Sequence, residues 1–304
     1  MAFTTFSSAE KKGDESARKR SPIALFLLLP GVLFLVLFFV TPLISLVLTS
    51  LQEPVPGGFF GEYRQAFNWQ NYVFVLETYG EQAARAFGYA ALASLFALLI
   101  GFPLAYFIGI TLRRFPLLQA LALVLVIAPF FISFLLRTLA WKQIFAIEGP
   151  VAGTLSLIGL LGPGESITGT AFSVVFGLTY NFIPFMTLPI YATLERLDLR
   201  LVEAGGDLYA NPATVFRTVT LPLAAPGVIS GTLLTFIPAS GDYINASRDF
   251  LGSTETAMIG TVIEANFLVL QNYPAAAALS IVLMAVILVL VGIYVKRSGT
   301  EDLL

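Results

Sequence analysis

The chain predicts an all-α, polytopic membrane protein, and three observations carry that prediction. Of its 304 residues 57% are hydrophobic and 12% charged, where a soluble domain carries about 25% charged residues. Six apolar runs are each long enough to cross a hydrocarbon layer of about 30 Å, which takes about 20 helical residues. Lysine and arginine gather in alternate connecting segments, the pattern that orients membrane spans.

Residues 1–21 form a polar tail that includes Lys11, Lys12, Arg18, Lys19 and Arg20. Such a composition buries too little apolar surface to fold alone. The run 23–51 is longer than the apolar core of a cleaved signal peptide and lacks an Ala-x-Ala exit, so it reads as an uncleaved first span. Further spans are expected at about 83–110, 117–145, 170–194, 221–243 and 275–295. Residues 22–298 thus read as one six-span domain, and 299–304 as a short tail. Pro129, Pro184, Pro189, Pro226 and Pro238 lie inside these runs and mark kinks, because each frees a carbonyl that neighbouring groups must satisfy.

With six spans, the tail cations, Arg113 and Arg114, Arg196, Arg200 and Arg217, and Lys296 and Arg297 all fall on one side. The positive-inside rule makes that side the cytoplasm, so both termini face inward. The outer segments, at about 52–82, 147–169 and 244–274, carry few cations, chiefly Arg64 and Arg248. They hold Glu62, Glu77, Glu81, Glu148, Glu165, Asp249, Glu255 and Glu264. An acidic rim of this kind attracts a cationic solute, although outer loops depleted of lysine and arginine look acidic by default.

Several chemistries are excluded. The chain has no cysteine and no histidine, which removes thiolate nucleophiles, Ser-His-Asp catalysis and the usual transition-metal ligands. None of its lysines sits in a G-x-x-x-x-G-K-[ST] setting, so any ATP must be bound by another chain. No basic, aromatic-laced surface suggests nucleic acid as a partner. No catalytic residue, metal site or cofactor is expected.

The segment 195–220 stands apart as an amphipathic loop on the cation-rich side. Leu197, Leu201, Ala204 and Leu208 recur at helical spacing, with Asp198, Arg200, Glu203 and Asp207 between them, which describes a short two-faced helix. Asn211 then offers an N-cap and Pro212 a first helical residue, so Val215, Phe216 and Val219 ride a second short helix that Pro222 ends. Two such helices suit docking of a soluble partner.

This segment resembles the cytoplasmic loop of the membrane subunits of binding-protein-dependent ABC importers: Glu-Ala-Ala, three residues, Gly, nine residues, Ile-x-Leu-Pro. Glu203, Ala204, Leu221 and Pro222 match, and Val219 stands for Ile. Gly205 replaces the second Ala and Tyr209 replaces the Gly. A Gly between helices supplies a left-handed residue, so either Asn211 takes that conformation or the turn is rebuilt. The phrases from Pro129, PFFISFLLRTLAWKQIF, from Gly177, GLTYNFIPFMTLPIYATLERLD, and from Gly260, GTVIEANFLVLQNYPAAAALSI, are similar to the spermidine/putrescine permease branch.

The resemblance implies the type I importer permease fold, with short cytoplasmic coupling helices, in a bacterial inner membrane. It implies a second homologous permease, an ATP-binding subunit dimer and an extracytoplasmic substrate-binding protein as partners, with lipid around the spans. The ATPase-coupling residues would be Glu203, Ala204, Gly205, Asp207, Leu208, Tyr209 and Pro222. The solute would be a polyamine, the alternatives being another organic cation, ferric iron, an oxyanion or a sugar. A secondary transporter or channel without an ATPase is the reading from another class, and the scarcity of intramembrane acids weighs against it.

Candidate pathway residues are few. Asp242 is expected at the outer end of the fifth span, where it either pairs with Arg137 or touches solute. Tyr243, Tyr180, Asn181 and Trp141 are expected to line the same cavity, although aromatic residues near span ends also serve as interfacial anchors. Glu264 lies in an apolar stretch, 260–267, too short to span, which suits a short helix at the pore or at a docked binding protein. Gly227 and Gly231 form a Gly-x-x-x-Gly, whose expected role is close helix packing.

Overall fold

A computed structural model describes residues 22–297 apart from Pro163, with side chains from residue 27 onward. The tail cations and residues 298–304 lie outside the described residues. The chain divides into two compact units, one ending at Leu46 and the other beginning at Val47.

The first unit holds most of helix α1, Leu27–Ser50. Pro30 lies inside it, and a wide turn at Val36–Val40 interrupts its regular bonding. There the Thr41 hydroxyl donates to the Val36 carbonyl at 3.0 Å.

The second unit opens with a two-stranded antiparallel ribbon, β1 (Glu53–Pro54) and β2 (Tyr63–Arg64), closed by an Arg64–Glu53 ion pair. Helix α2 runs Gln70–Arg114, far longer than the expected 83–110. Its first turns fold because they have something to bury: Val75 is fully packed, the Tyr72 hydroxyl meets Ser50 Oγ at 2.6 Å, and Asn71 Nδ2 donates to the Ser50 and Gln52 carbonyls at 2.8 Å.

The expected third span is broken. Helix α3, Pro116–Phe131, and α4, which begins at Phe134, meet at 92°. Pro129 removes a helical donor near the end of α3, and Ile132 and Ser133 are extended. A short α5, Pro150–Leu157, follows. Counting the bent pair as one span, six segments among the described residues are long and apolar enough to cross a membrane, and otherwise five.

The remaining helices are α6 (Ala171–Glu195), α7 (Leu199–Asp207), α8 (Pro212–Ser240), α9 (Ile259–Val269) and α10 (Tyr273–Arg297). Helix α6 is the central one. Ala97 and Ala105 of α2 and Ala224 of α8 close on its Met186, Ile190 and Leu194, and all six are fully buried. On the α8 side the approach is close enough to need glycine. A Cβ at Gly227 would lie 2.8 Å from the Pro189 carbonyl and 2.9 Å from Ile190 Cα, and one at Gly231 would lie 2.9 Å from the Met186 carbonyl. A second part of the core gathers Ala86, Ala90 and Ala93 of α2 with Val174, Leu178 and Phe182 of α6 and Ala275, Ala278 and Leu279 of α10.

Pro222 does not end a helix. Helix α8 is continuous from Pro212 to Ser240, with a wide turn at Phe216–Thr220 just before Pro222. Such a turn shifts bonding from i−4 to i−5 and relieves the clash between a proline ring and the carbonyl one turn back.

Candidate functional site

The candidate docking element is the loop built on α7. Asp198 caps α7, its carboxylate accepting from the Arg200 amide at 3.0 Å. Leu197, just before the cap, is buried, but no residue of α7 itself is. Leu201 and Leu208, expected on an inward apolar face with Leu197, are 50% and 81% exposed. Glu203, Ala204 and Asp207 are exposed as well. An amphipathic helix whose apolar residues meet water has not yet found what it packs on.

Helix α7 ends in a left-handed turn. Ala210 N donates to the Gly205 carbonyl at 3.3 Å and Tyr209 N to the Gly206 carbonyl at 2.9 Å, the two-bond closure that places residue 209 at the glycine-preferring position. Tyr209 occupies it with φ 58° and is 99% exposed. Asn211 does not take the left-handed conformation. Its φ is −69° and its side chain caps α8, accepting from the Thr214 amide at 2.7 Å. Holding a tyrosine there costs about 1–2 kcal/mol. The Gly205 departure has a packing reason, since a Cβ there would come within 2.9 Å of Val215 Cγ2.

Helix α2 holds both ends of this loop. Arg113 Nη1 donates to the Leu197 carbonyl at 2.9 Å. Phe216, in the wide turn of α8, packs edge-on against Phe102 and Tyr106, with ring centroids 5.6 and 6.0 Å apart. Pro222 lies exposed beyond that turn.

The pathway candidates do not line one cavity. Asp242 lies past the end of α8, buried, and makes no ion pair with Arg137. Instead its carboxylate accepts from Asn245 N at 2.7 Å and Asn245 Nδ2 at 3.0 Å. Asn245 Oδ1 in turn accepts from Asn181 Nδ2 at 3.2 Å, and Asn181 Nδ2 lies 3.2 Å from Thr138 Oγ1. This buried network joins α4, α6 and the loop after α8. A carboxylate with two donors close by in sequence needs no distant cation, which explains the missing ion pair. Arg137 stands over the Phe134 ring at 5.7 Å, and its Nε and Nη1 are buried without partners.

Trp141 and Tyr180 belong to an aromatic cluster with Phe176, Trp141 lying 4.6 Å from Phe176 and 5.2 Å from Tyr180. Tyr180 also lines a nearly all-apolar cavity of about 310 Å³ between α2, α3 and α6. Tyr243 is half-exposed and outside both groups.

Glu264 lies elsewhere, in a pocket of about 480 Å³ between α9 and the loop after α8. Its polar lining includes Asp249, Arg248, Thr261, Asn266 and Tyr79. Burial first, and the neighbouring Asp249 carboxylate second, push the Glu264 carboxyl above its ordinary value. Asn266 Oδ1 is buried there without a partner. Two carboxylates and a free amide oxygen suit a cation that donates hydrogen bonds. The loop forming one wall is stitched to the start of α6: Gly169 N and Ser173 Oγ both donate to the Leu251 carbonyl, at 2.8 and 2.7 Å.

The described residues form a helical membrane chain with a solvent-facing helix in the loop between α6 and α8. Residues 101–297 match the family described as binding-protein-dependent transport system inner membrane component, and the chain belongs to that family. It is 31% identical over 266 residues to the spermidine/putrescine transport system permease protein PotB of Escherichia coli, covering 87% of this chain and 94% of that one. The Haemophilus influenzae protein of the same name is 34% identical over 72% of this chain and 75% of its own. Among solved structures, a bacterial ABC transporter involved in the import of the acidic polysaccharide alginate superposes with a TM-score of 0.65 at 19% identity, covering 93% of this chain and 97% of that chain. That likeness establishes the fold, and the chain is a multi-pass inner-membrane permease.

Proposed function

We propose that this chain forms half of the translocation pathway of an ATP-driven importer for a polyamine such as spermidine or putrescine. A second homologous permease supplies the other half, two ATP-hydrolysing subunits dock on the cytoplasmic side, and an extracytoplasmic binding protein delivers the solute. Both termini and the 195–220 loop face the cytoplasm. The observation that carries this reading is an amphipathic helix with no buried residue, capped at its entry and clamped by α2 at both flanks. Similarity to polyamine permeases over most of the chain, together with the Asp249–Glu264 pocket, supports a polycationic solute. This replaces the alternative of a transporter that works without an ATPase.

The chain performs no covalent chemistry. Closure of the ATP-bound partners displaces α7, and α6, α8 and α2 move with it because they are attached to it or clamp it. The motion is useful only if α7 makes different contacts in the two states. Co-purification with polyamine uptake in reconstituted vesicles tests the reading. Glu203→Lys is expected to leave the protein inserted but to uncouple uptake from ATP hydrolysis, and normal uptake by that variant would sink the assignment.

A further inference from the structure

We propose that the β1–β2 ribbon is a lipid-binding finger, whose tip, Phe59 and Phe60, seats in the headgroup boundary of the leaflet met by the Ser50 end of α1 and the Tyr273 end of α10. The inference rests only on the chain crossing a membrane several times, and adds a contact outside the transport machinery. Phe59 and Phe60 are 84% and 76% exposed, and Phe67 and Trp69, which lead on to α2, are exposed as well. None of the four makes a ring contact among the described residues, so their apolar surface returns nothing to the fold. The tip is nonetheless held firmly. Gly57 and Gly61 supply left-handed backbone, with φ 75° and 85°, Gly58 N donates to the Val55 carbonyl at 3.0 Å, and the Phe59 amide donates to the Glu62 carboxylate at 3.1 Å. Two adjacent rings displayed by a closed turn lose little further freedom on binding.

The attachment of the ribbon decides what covers it. A Cβ at Gly61 would lie 2.9 Å from Gln271 Oε1, and Tyr63 packs edge-on against Tyr273 with ring centroids 6.0 Å apart. At its other end Asn68 N donates to the Leu51 carbonyl at 2.9 Å, next to Ser50. The ribbon is thus fastened to the last turn of one membrane-crossing helix and to the first residue of another, at the level where both leave the hydrocarbon. Its apolar face also continues into α9, whose exposed Leu268 and Val269 follow Phe267, and Phe267 lies 5.4 Å from the same Tyr273. Aromatic residues and leucine at that level are the side chains that partition into the lipid boundary. The charges nearby are engaged: Arg64 pairs with Glu53, Glu62 holds the Phe59 amide, and Glu264 lies in the pocket it shares with Asp249 and Arg248. With no free cation at the tip, insertion draws on apolar burial and needs no anionic headgroup.

The test uses the full chain in vesicles of phosphatidylcholine. Because the chain has no cysteine, Phe60→Cys accepts a single environment-sensitive dye. The dye is expected to lose most of its emission when the acyl chains are brominated near the headgroup, to be shielded from aqueous iodide, and to respond equally when phosphatidylglycerol is added. Phe60→Trp, which keeps a natural ring in place of the dye, is expected to show the same quenching as a difference from the parent. Emission open to iodide and untouched by brominated lipid in both variants overturns the proposal. Shielding that appears only when a second permease or a binding protein is added makes the tip a protein contact, and overturns it too. Quenching that requires phosphatidylglycerol overturns the apolar basis of the contact.

Discussion

The close approach of α6 and α8 gives a prediction in which one chemical change has opposite outcomes at different sites. Gly88→Ala, Gly227→Ala and Gly231→Ala each add one methyl group within a helix. In each case alanine's helix preference contributes about 0.8–1 kcal/mol of stability. At Gly88, on α2, the new Cβ meets nothing within 4 Å, so that gain stands alone. At Gly227 it would lie 2.6 Å from Thr193 Oγ1, 2.8 Å from the Pro189 carbonyl and 2.9 Å from Ile190 Cα. Two of those three atoms are backbone and cannot rotate away, so the overpacking cost falls at the upper end of its usual range, about 3 kcal/mol. The net effect is a loss of about 2 kcal/mol. For a chain of this size each kcal/mol moves a melting temperature by about 2–4 °C. Gly88→Ala should melt about 2–4 °C above the parent and Gly227→Ala about 4–8 °C below it, read as loss of monodisperse protein after heating in detergent. Gly227→Ala with Gly231→Ala should cost less than the sum of the two, because helices already pushed apart admit the second methyl. A Gly227→Ala protein as stable as Gly88→Ala would refute the argument that contact with α6 is what requires glycine there.

Further outcomes follow from other sites. Asn245→Ala keeps the backbone amide bond to the buried Asp242 carboxylate but removes the side-chain one and the acceptor of Asn181, and should destabilise by about 1.5–3 kcal/mol in the same assay, with Asn245→Asp faring no better. Arg113→Gln should leave the protein inserted and able to retain its ATPase partner while lowering the solute moved per ATP hydrolysed, because α2 loses its hold on the Leu197 carbonyl. Glu264 is held above the ordinary glutamate value by burial and by Asp249, so as pH falls it takes up its proton earlier than a free glutamate would. The pocket then loses negative charge, polyamine uptake in vesicles should fall with pH, and Asp249→Asn should move the midpoint of that fall to lower pH.

Much of the architecture was legible because membrane spans are written in long apolar runs. The extra N-terminal turns of α2 were not legible, since Asn71, Tyr72 and Glu77 dilute the run and the bonds that fix those turns reach back to residues 50 and 52. Pro222 misled for a local reason: a proline stops a regular helix but not one that has widened by a residue just before it. Asp242 was expected to pair with Arg137 or to touch solute. The partner proved to be Asn245, three residues on, and the rest of the network ties residues 43 and 64 apart in sequence, which periodicity cannot see. At Tyr209 the sequence showed where the irregularity lay, while which residue would bear it depended on Asn211 already being committed as a cap.

The continuity of α8 has a mechanical consequence. A single helix of 29 residues runs from the docking loop to Ser240, about 43 Å at 1.5 Å per residue. Its bonding widens at Phe216–Thr220 and Pro226 and Pro238 lie within it, the places where such a helix bends, while Gly227 and Gly231 hold its middle against α6. A tilt of about 10° about that contact moves the Ser240 end, roughly 17 Å away, by about 3 Å. Two residues past that end sits Asp242, so one helix connects the loop carrying α7 to the buried Asp242–Asn245 network.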